Sequence, residues 1–220
     1  MINVRLHFSK TFEAKYISHL DLARCFSRAL KKSGLDLWYT EGFNTRLYLT
    51  FALPLSLGLE SLCETVDIRL INDEFDPNIV YAVNPQLPKG IEVFDANIPV
   101  FKAGDIAFAR YLVELCDGKF SSEDVLSAVH NVINKDAIMV KKTNKKGIVK
   151  DIDIKPLIHS SRAFVQGEMC YLDLTLGAGN ENSLNPNLLL SEAFSLLGRE
   201  TDHILIKRTQ ILTKNLENFR

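Results

Sequence analysis

Arg24, Arg28 and Lys31 stand four and three residues apart, the spacing of neighbours on one face of a helix. A guanidinium is a planar fork that grips phosphate oxygens two at a time, so this series suits an anionic backbone. Further on, Gly42-Phe43-Asn44 reads as a turn, followed by Arg46. An aromatic beside an amide stacks on an unpaired base and hydrogen-bonds its edge, as single-stranded RNA readers do. Arg24, Arg28, Lys31, Phe43, Asn44 and Arg46 are therefore the candidate RNA- or anion-binding set. The alternative is structural. Asp21 and Arg24 would pair one turn apart on a solvated face, while Gly42 and Asn44 supply special backbone angles and Phe43 plugs the core.

A second basic patch lies in Lys141-Lys142-Thr143-Asn144-Lys145-Lys146-Gly147, a candidate hairpin tip with Lys150 beyond it. Lys141, Lys142, Lys145 and Lys146 could track a phosphate backbone, or simply keep a strand end soluble and unpaired.

No catalytic constellation is legible. Glu60 with Glu64 and Asp151 with Asp153 are paired carboxylates, but no matched acid/base environment accompanies them. Ser18-His19 and Ser61 form no readable triad, and the Gly177-Ala178-Gly179 turn lacks the residues of a phosphate loop. Cys25, Cys63, Cys116 and Cys170 are far apart in apolar surroundings and read as reduced core thiols. The five histidines are equally scattered. Neither a metal nor another cofactor is expected.

The 220 residues are 46% hydrophobic and 24% charged with a net charge of −1, the profile of an ordinary globular protein. That balance argues against bulk polyanion binding, so any nucleic-acid contact must come from a local patch. No apolar run reaches the length of a membrane span and the start has no signal-peptide layout, so a cytoplasmic protein without membrane contact is expected.

The elements that position these residues follow from periodicity. Val4 to Phe8 alternates as a strand. Ser18 caps a helix with Asp21 at the reciprocal position, and Leu22, Phe26, Ala29 and Leu30 form its apolar stripe. Gly34 ends it. A strand or hairpin pair over 37–53, a strand over 65–70, a short helix opened by Asp76-Pro77 and a strand over 91–94 complete a first half. The same order recurs: strand 107–115, a helix capped by Ser121 or Ser122, strands 137–142, 148–154 and 169–176, a helix opened by Asn185-Pro186, and strand 204–212. The expected fold is α+β, with tandem ferredoxin-like (βαββαβ) halves built on antiparallel sheets. They cover 1–100 and 104–220, with a joint near Pro99 to Asp105.

Tyr16-Ile17-Ser18-His19-Leu20-Asp21-Leu22-Ala23-Arg24 and Glu41-Gly42-Phe43-Asn44-Thr45-Arg46, with Gly58 and Glu60-Ser61, resemble the motifs of a bacterial family of uncharacterised "radical-SAM-linked" proteins. Ile206-Lys207-Arg208-Thr209-Gln210 resembles the family's ending. Thr45 and Leu47 stand where the family turn has prolines, and Tyr48 stands where it has a cation. The resemblance implies a radical S-adenosylmethionine (radical SAM) enzyme as partner. It implies no catalytic site in this chain, which lacks the close cysteine triad of a [4Fe–4S] cluster. The expected function is a non-catalytic RNA-binding or substrate-presenting accessory module. The alternatives are an enzyme whose residues meet only in the fold, with Asp67 and the Glu41–Arg46 turn in a cleft, and a protein–protein scaffold.

Overall fold

The computed structural model describes residues 1–75, 78–115, 122–143, 147, 149–167, 169–179, 182–198 and 204–220, so Asp76-Pro77, Cys116 and Ser121 lie outside it. The chain divides into two compact units, Met1–Ile106 together with Arg208–Arg220, and Ala107–Lys207. The tail from Arg208 on thus groups with the first unit. Val100 and Phe101 donate their backbone N–H groups to the Arg220 carbonyl, and Phe219 stacks on Phe101.

The first unit runs β1 (Ile2–Lys10), α1 (His19–Lys32), β2 (Leu49–Phe51), β3 (Glu60–Leu70), α2 (Ile79–Val83) and β4 (Ile91–Asn97). This is the β-α-β-β-α-β order expected from the sequence. β1 pairs antiparallel with β3 on one side and β4 on the other, while β2 pairs antiparallel with β3. Period-2 alternation sends Val4, Leu6 and Phe8 to one face, where their partners Ile68 and Val66 join them. The α1 stripe of Leu22, Phe26, Ala29 and Leu30 is buried in that same core, with Ile79 and Val83 of α2. Apart from Ala29, each of these side chains contributes about 1.5–3 kcal/mol by leaving water. Ser18 Oγ accepts the Asp21 N–H at 3.2 Å, and Gly34 takes the left-handed φ of 78° that turns the chain away after α1.

The expected strand over 65–70 begins earlier, at Glu60. Glu60, Ser61 and Glu64 are buried polar residues, and long-range partners carry the strand through them.

The second unit contains β5 (Ile106–Leu115, entering it at Ala107), α3 (Ser122–Ile133), β6 (Met139–Thr143), β7 (Val149–Asp153), β8 (Ile158–Gln166), β9 (Met169–Gly177), α4 (Pro186–Ser195) and the start of β10 (Ile204–Thr213). β9 pairs antiparallel with β5 and β8, while β6 and β7 form a separate hairpin. Mixed α+β architecture with antiparallel pairing thus holds in both units. β8 is absent from the sequence-based expectation. As an outer strand of sequence IHSSRAFVQ it buries no alternating face, so its period-2 signal is missing.

Candidate nucleic-acid interface

Arg24, Arg28 and Lys31 all lie exposed on α1. Asp21 accepts a hydrogen bond from Arg24 Nη1 at 2.8 Å, the ion pair of the structural alternative. Being exposed, that pair is weak and available for exchange with an external anion. Burial of the opposite stripe fixes which way this basic face points.

The turn that follows is closed at its base by main-chain bonds. Tyr39 bridges Leu47, Thr40 N–H donates to the Arg46 carbonyl at 2.8 Å, and Arg46 N–H donates to Thr40 Oγ1 at 3.0 Å. Below it, the Arg69 guanidinium lies 4.7 Å from the ring centres of both Trp38 and Tyr48, a double cation–π contact. Tyr48, at the position where the resemblance expects a cation, is one wall of that stack. Glu41 to Arg46 are all exposed, and Phe43 is fully so. Phe43 therefore does not plug the core. Gly42 has φ 114°, which a side chain rarely adopts, and this crest of the turn presents the ring to solvent.

One contact joins helix and turn: Lys31 Nζ sits 5.8 Å from the Tyr39 ring centre. The last turn of α1 and the base of the Phe43 loop are thereby neighbours, while Arg24 lies two turns back along the helix. The lysine patch belongs to the second unit. There Lys141 is exposed and faces Asp151 across the hairpin. Lys145 and Lys146 lie outside the described residues, as does the Lys142 side chain.

Sequence reasoning missed a buried charge cluster behind the start of α1. Arg208 Nε donates to Glu64 Oε1 at 2.9 Å and its Nη2 to the Leu53 carbonyl at 2.7 Å. Lys10, 1% exposed, donates through Nζ to the Ile17 carbonyl at 2.8 Å. Burial lowers the Lys10 pKa, with Glu64 pulling it back up and Arg208 pushing it down. Glu60 accepts the N–H of Phe12, whose φ of 53° is left-handed. Burial first, then Glu64, pushes the Cys63 thiol up to about 12, so it stays protonated and unreactive at neutral pH. These groups anchor the segments that enter and leave α1 and carry no free nucleophile. Lys10 closes β1 and Glu60 opens β3, and the mixed polar sequence around them gives no local signal of burial.

Asp67, the carboxylate of the enzyme alternative, is engaged on both oxygens by Arg5 Nε and Nη2 at 2.7 and 2.8 Å. Among the described residues, no group of three or more His, Cys, Asp and Glu side chains is placed to hold a metal ion, and no helix is long and apolar enough to cross a membrane.

A model of the family described as "Uncharacterized protein conserved in bacteria (DUF2344)" matches residues 3–186, and the chain belongs to that family. No curated protein matches the chain. A chain in a crystal structure of a Cbf5-Nop10-Gar1 complex aligns with 94% of this chain at 9% identity and a TM-score of 0.49, and this protein spans 48% of that chain. A crystal structure of an unknown protein from Galdieria sulphuraria aligns with 94% of this chain and 98% of its own, at 14% identity and a TM-score of 0.26.

Proposed function

We propose that this DUF2344 chain is a non-catalytic accessory module that binds RNA or presents an RNA substrate to a radical SAM enzyme engaged in RNA modification. One observation carries the RNA reading: Phe43 stands fully exposed beside Asn44 and Arg46, on a turn whose base touches Lys31 of the basic α1 face. An aromatic ring held in water on an exposed turn gains nothing for the fold. It gains about 1–3 kcal/mol when a base stacks on it. Arg24, Arg28 and Lys31 supply the phosphate contacts and Asn44 a base-edge contact, in a chain whose net charge gives no bulk attraction. The radical SAM partner rests on the motif resemblance alone.

The test measures RNA affinity against salt concentration for the native chain and the Arg28→Ala/Arg46→Ala variant. Each lost phosphate contact flattens the salt slope by about one unit. Unchanged affinity and slope with an intact fold would leave α1 a solvated face. Co-purification of RNA and protein from cells identifies the partner. Recovery without a radical SAM enzyme would remove that half of the proposal.

A further inference from the structure

The two faces of the second-unit sheet are built for different surroundings. On one, Ala109 and Val113 of β5 and Leu172, Leu174 and Leu176 of β9 are fully buried, and α3 packs on β8 and β9. Alternation sends Phe108, Arg110, Leu112 and Glu114 of β5 to the opposite face. Their register partners bring Tyr171, Asp173 and Thr175 of β9 there, with Ser160, Arg162 and Phe164 of β8 beyond them. A solvated sheet face is ordinarily polar. This one sets aromatic rings among arginines.

Register lays these residues in rows across the strands. Glu114, Tyr171 and Phe164 make one row, Leu112, Asp173 and Arg162 the next, and Arg110, Thr175 and Ser160 a third. Past the third row, Phe108 lies against His159 with ring centres 4.6 Å apart. In the first row Phe164 stacks on Tyr171 at 5.3 Å and 17°, and the Arg162 guanidinium lies 5.6 Å from the Phe164 ring centre. Aromatic pairs therefore close both ends of the ladder, about 20 Å apart at ~3.4 Å per strand residue. The rows between them carry the two arginines.

Charge narrows the choice of ligand. Arg110 Nε donates to Asp173 Oδ1 at 2.8 Å, which neutralises that carboxylate. Arg162 stands across from Asp173 on β8 and is exposed, so the middle rows keep a net positive charge. The Arg110 and Asp173 side chains are 45% and 22% exposed, and both meet solvent. Glu114, opposite Tyr171 on β5, repels an anion toward β8 and Arg162. The complement is a chain with planar apolar groups at its ends and negative charge between them. Single-stranded nucleic acid supplies both from one repeating unit, as bases and phosphates.

We infer that this face of the second unit is a platform for a short single-stranded stretch of RNA. One base stacks beside Phe108 and another on Tyr171, while Arg162 holds a phosphate between them and Arg110 supports the same path. The platform is separate from the Phe43 surface and does not rest on that reading.

The test uses the full chain carrying Arg28→Ala/Arg46→Ala, which removes the phosphate contacts proposed for the first unit. Stacking accepts any base, so labelled oligouridylates serve as probes. At about 3.4 Å per stacked nucleotide a hexamer spans the ladder and a dimer does not. By fluorescence polarisation the hexamer should bind at least about tenfold more tightly than the dimer, since only it reaches both ring pairs. A hexamer carrying 5-iodouridine should crosslink to peptides containing Phe108, Phe164 or Tyr171. Arg162→Ala, at an exposed position, should melt with its parent, yet flatten the salt slope of hexamer binding by about one unit. Tyr171→Leu keeps an apolar side chain and should weaken the hexamer about tenfold, the loss of one stacked base. Equal affinity for the two lengths, crosslinks confined to first-unit peptides, or an unchanged affinity and slope in Arg162→Ala would each overturn the platform. Absence of binding in the Arg28→Ala/Arg46→Ala background would overturn it too, and if the native chain still bound RNA, the Phe43 reading would stand without it.

Discussion

Arg208 and Glu64, 144 residues apart in the chain, are hydrogen-bonded to one another in the interior of the first unit. Both side chains are nearly inaccessible, at 2% and 3% exposure. Removing one partner of such a pair leaves an uncompensated buried charge and costs about 3–5 kcal/mol, whereas replacing both with apolar groups costs much less. Arg208→Met and Glu64→Leu should therefore each lower the urea midpoint strongly, and the double variant should recover part of the loss. A double variant no more stable than the worse single one would show that the Leu53 carbonyl contact matters more than the pair.

His7 makes stability depend on pH with a definite sign. Its folded pKa lies below the ordinary 6.5 because burial disfavours the cation, and Arg5 adds to that effect; Asn97, Asp95 and Asp67 oppose it. As pH falls past 6.5 the unfolded chain binds a proton that the folded chain does not, so stability falls through that window until folded His7 protonates as well. Melting curves at pH 7.5, 6.5 and 5.5 should show this decline, and His7→Gln should flatten it relative to the native chain. Parallel curves for the two proteins would exclude the residue as the source.

Gly90 is irreplaceable for two independent reasons. Its φ is 86°, and an added Cβ would stand 2.6 Å from the Thr11 carbonyl oxygen and 3.0 Å from Ala14 Cβ. Thr11 N–H donates to the Gly90 carbonyl at 2.8 Å, so the two segments cannot separate without breaking that bond. Gly90→Ala should cost about 1–3 kcal/mol or more. Gly34→Ala, with open space around its Cβ position, should cost less. Equal melting temperatures for the two variants would contradict the close approach.

Phe43→Ala provides the cleanest separation of fold from function. The ring is fully exposed, so stability should change by no more than ~0.5 kcal/mol. Affinity for single-stranded RNA should fall by about 1–3 kcal/mol if a base stacks there. A stable variant with native RNA affinity would argue for the solvated reading of the turn.

Cys63 should resist alkylation at pH 8 in the folded chain, since its thiol is pushed up to about 12. Peptide mapping after brief iodoacetamide treatment should find Cys63 modified only when urea is added. Rapid labelling without denaturant would mean that the segment around β3 opens readily.

Local rules made much of the first unit legible. Ser18, the four-residue stripe and Gly34 define α1 within a window of 17 residues and are present as read. The Asp21 carboxylate, by contrast, accepts from the Ser18 hydroxyl and from Arg24 rather than from the Ser18 backbone N–H. The hidden features depend on partners far along the chain. Glu60, Ser61 and Glu64 look like a loop in isolation, and they become strand only because Phe12 N–H and Arg208 satisfy Glu60 and Glu64. Among the described residues β8 pairs only with β9, at the outside of its sheet, so burial imposed no alternation on its sequence. Arg5 meets Asp67 and Asn97 only through register, which no short window contains.

The return of Arg208–Arg220 to the first unit also sets a timetable for synthesis. A ribosome delivers Glu64 long before Arg208, so the emerging first unit must carry a buried-to-be charge without its late partner. The whole of Ala107–Lys207 is made in the interval. The first unit should thus remain protease-sensitive on the ribosome, acquiring resistance only when Arg208–Arg220 leaves the exit tunnel.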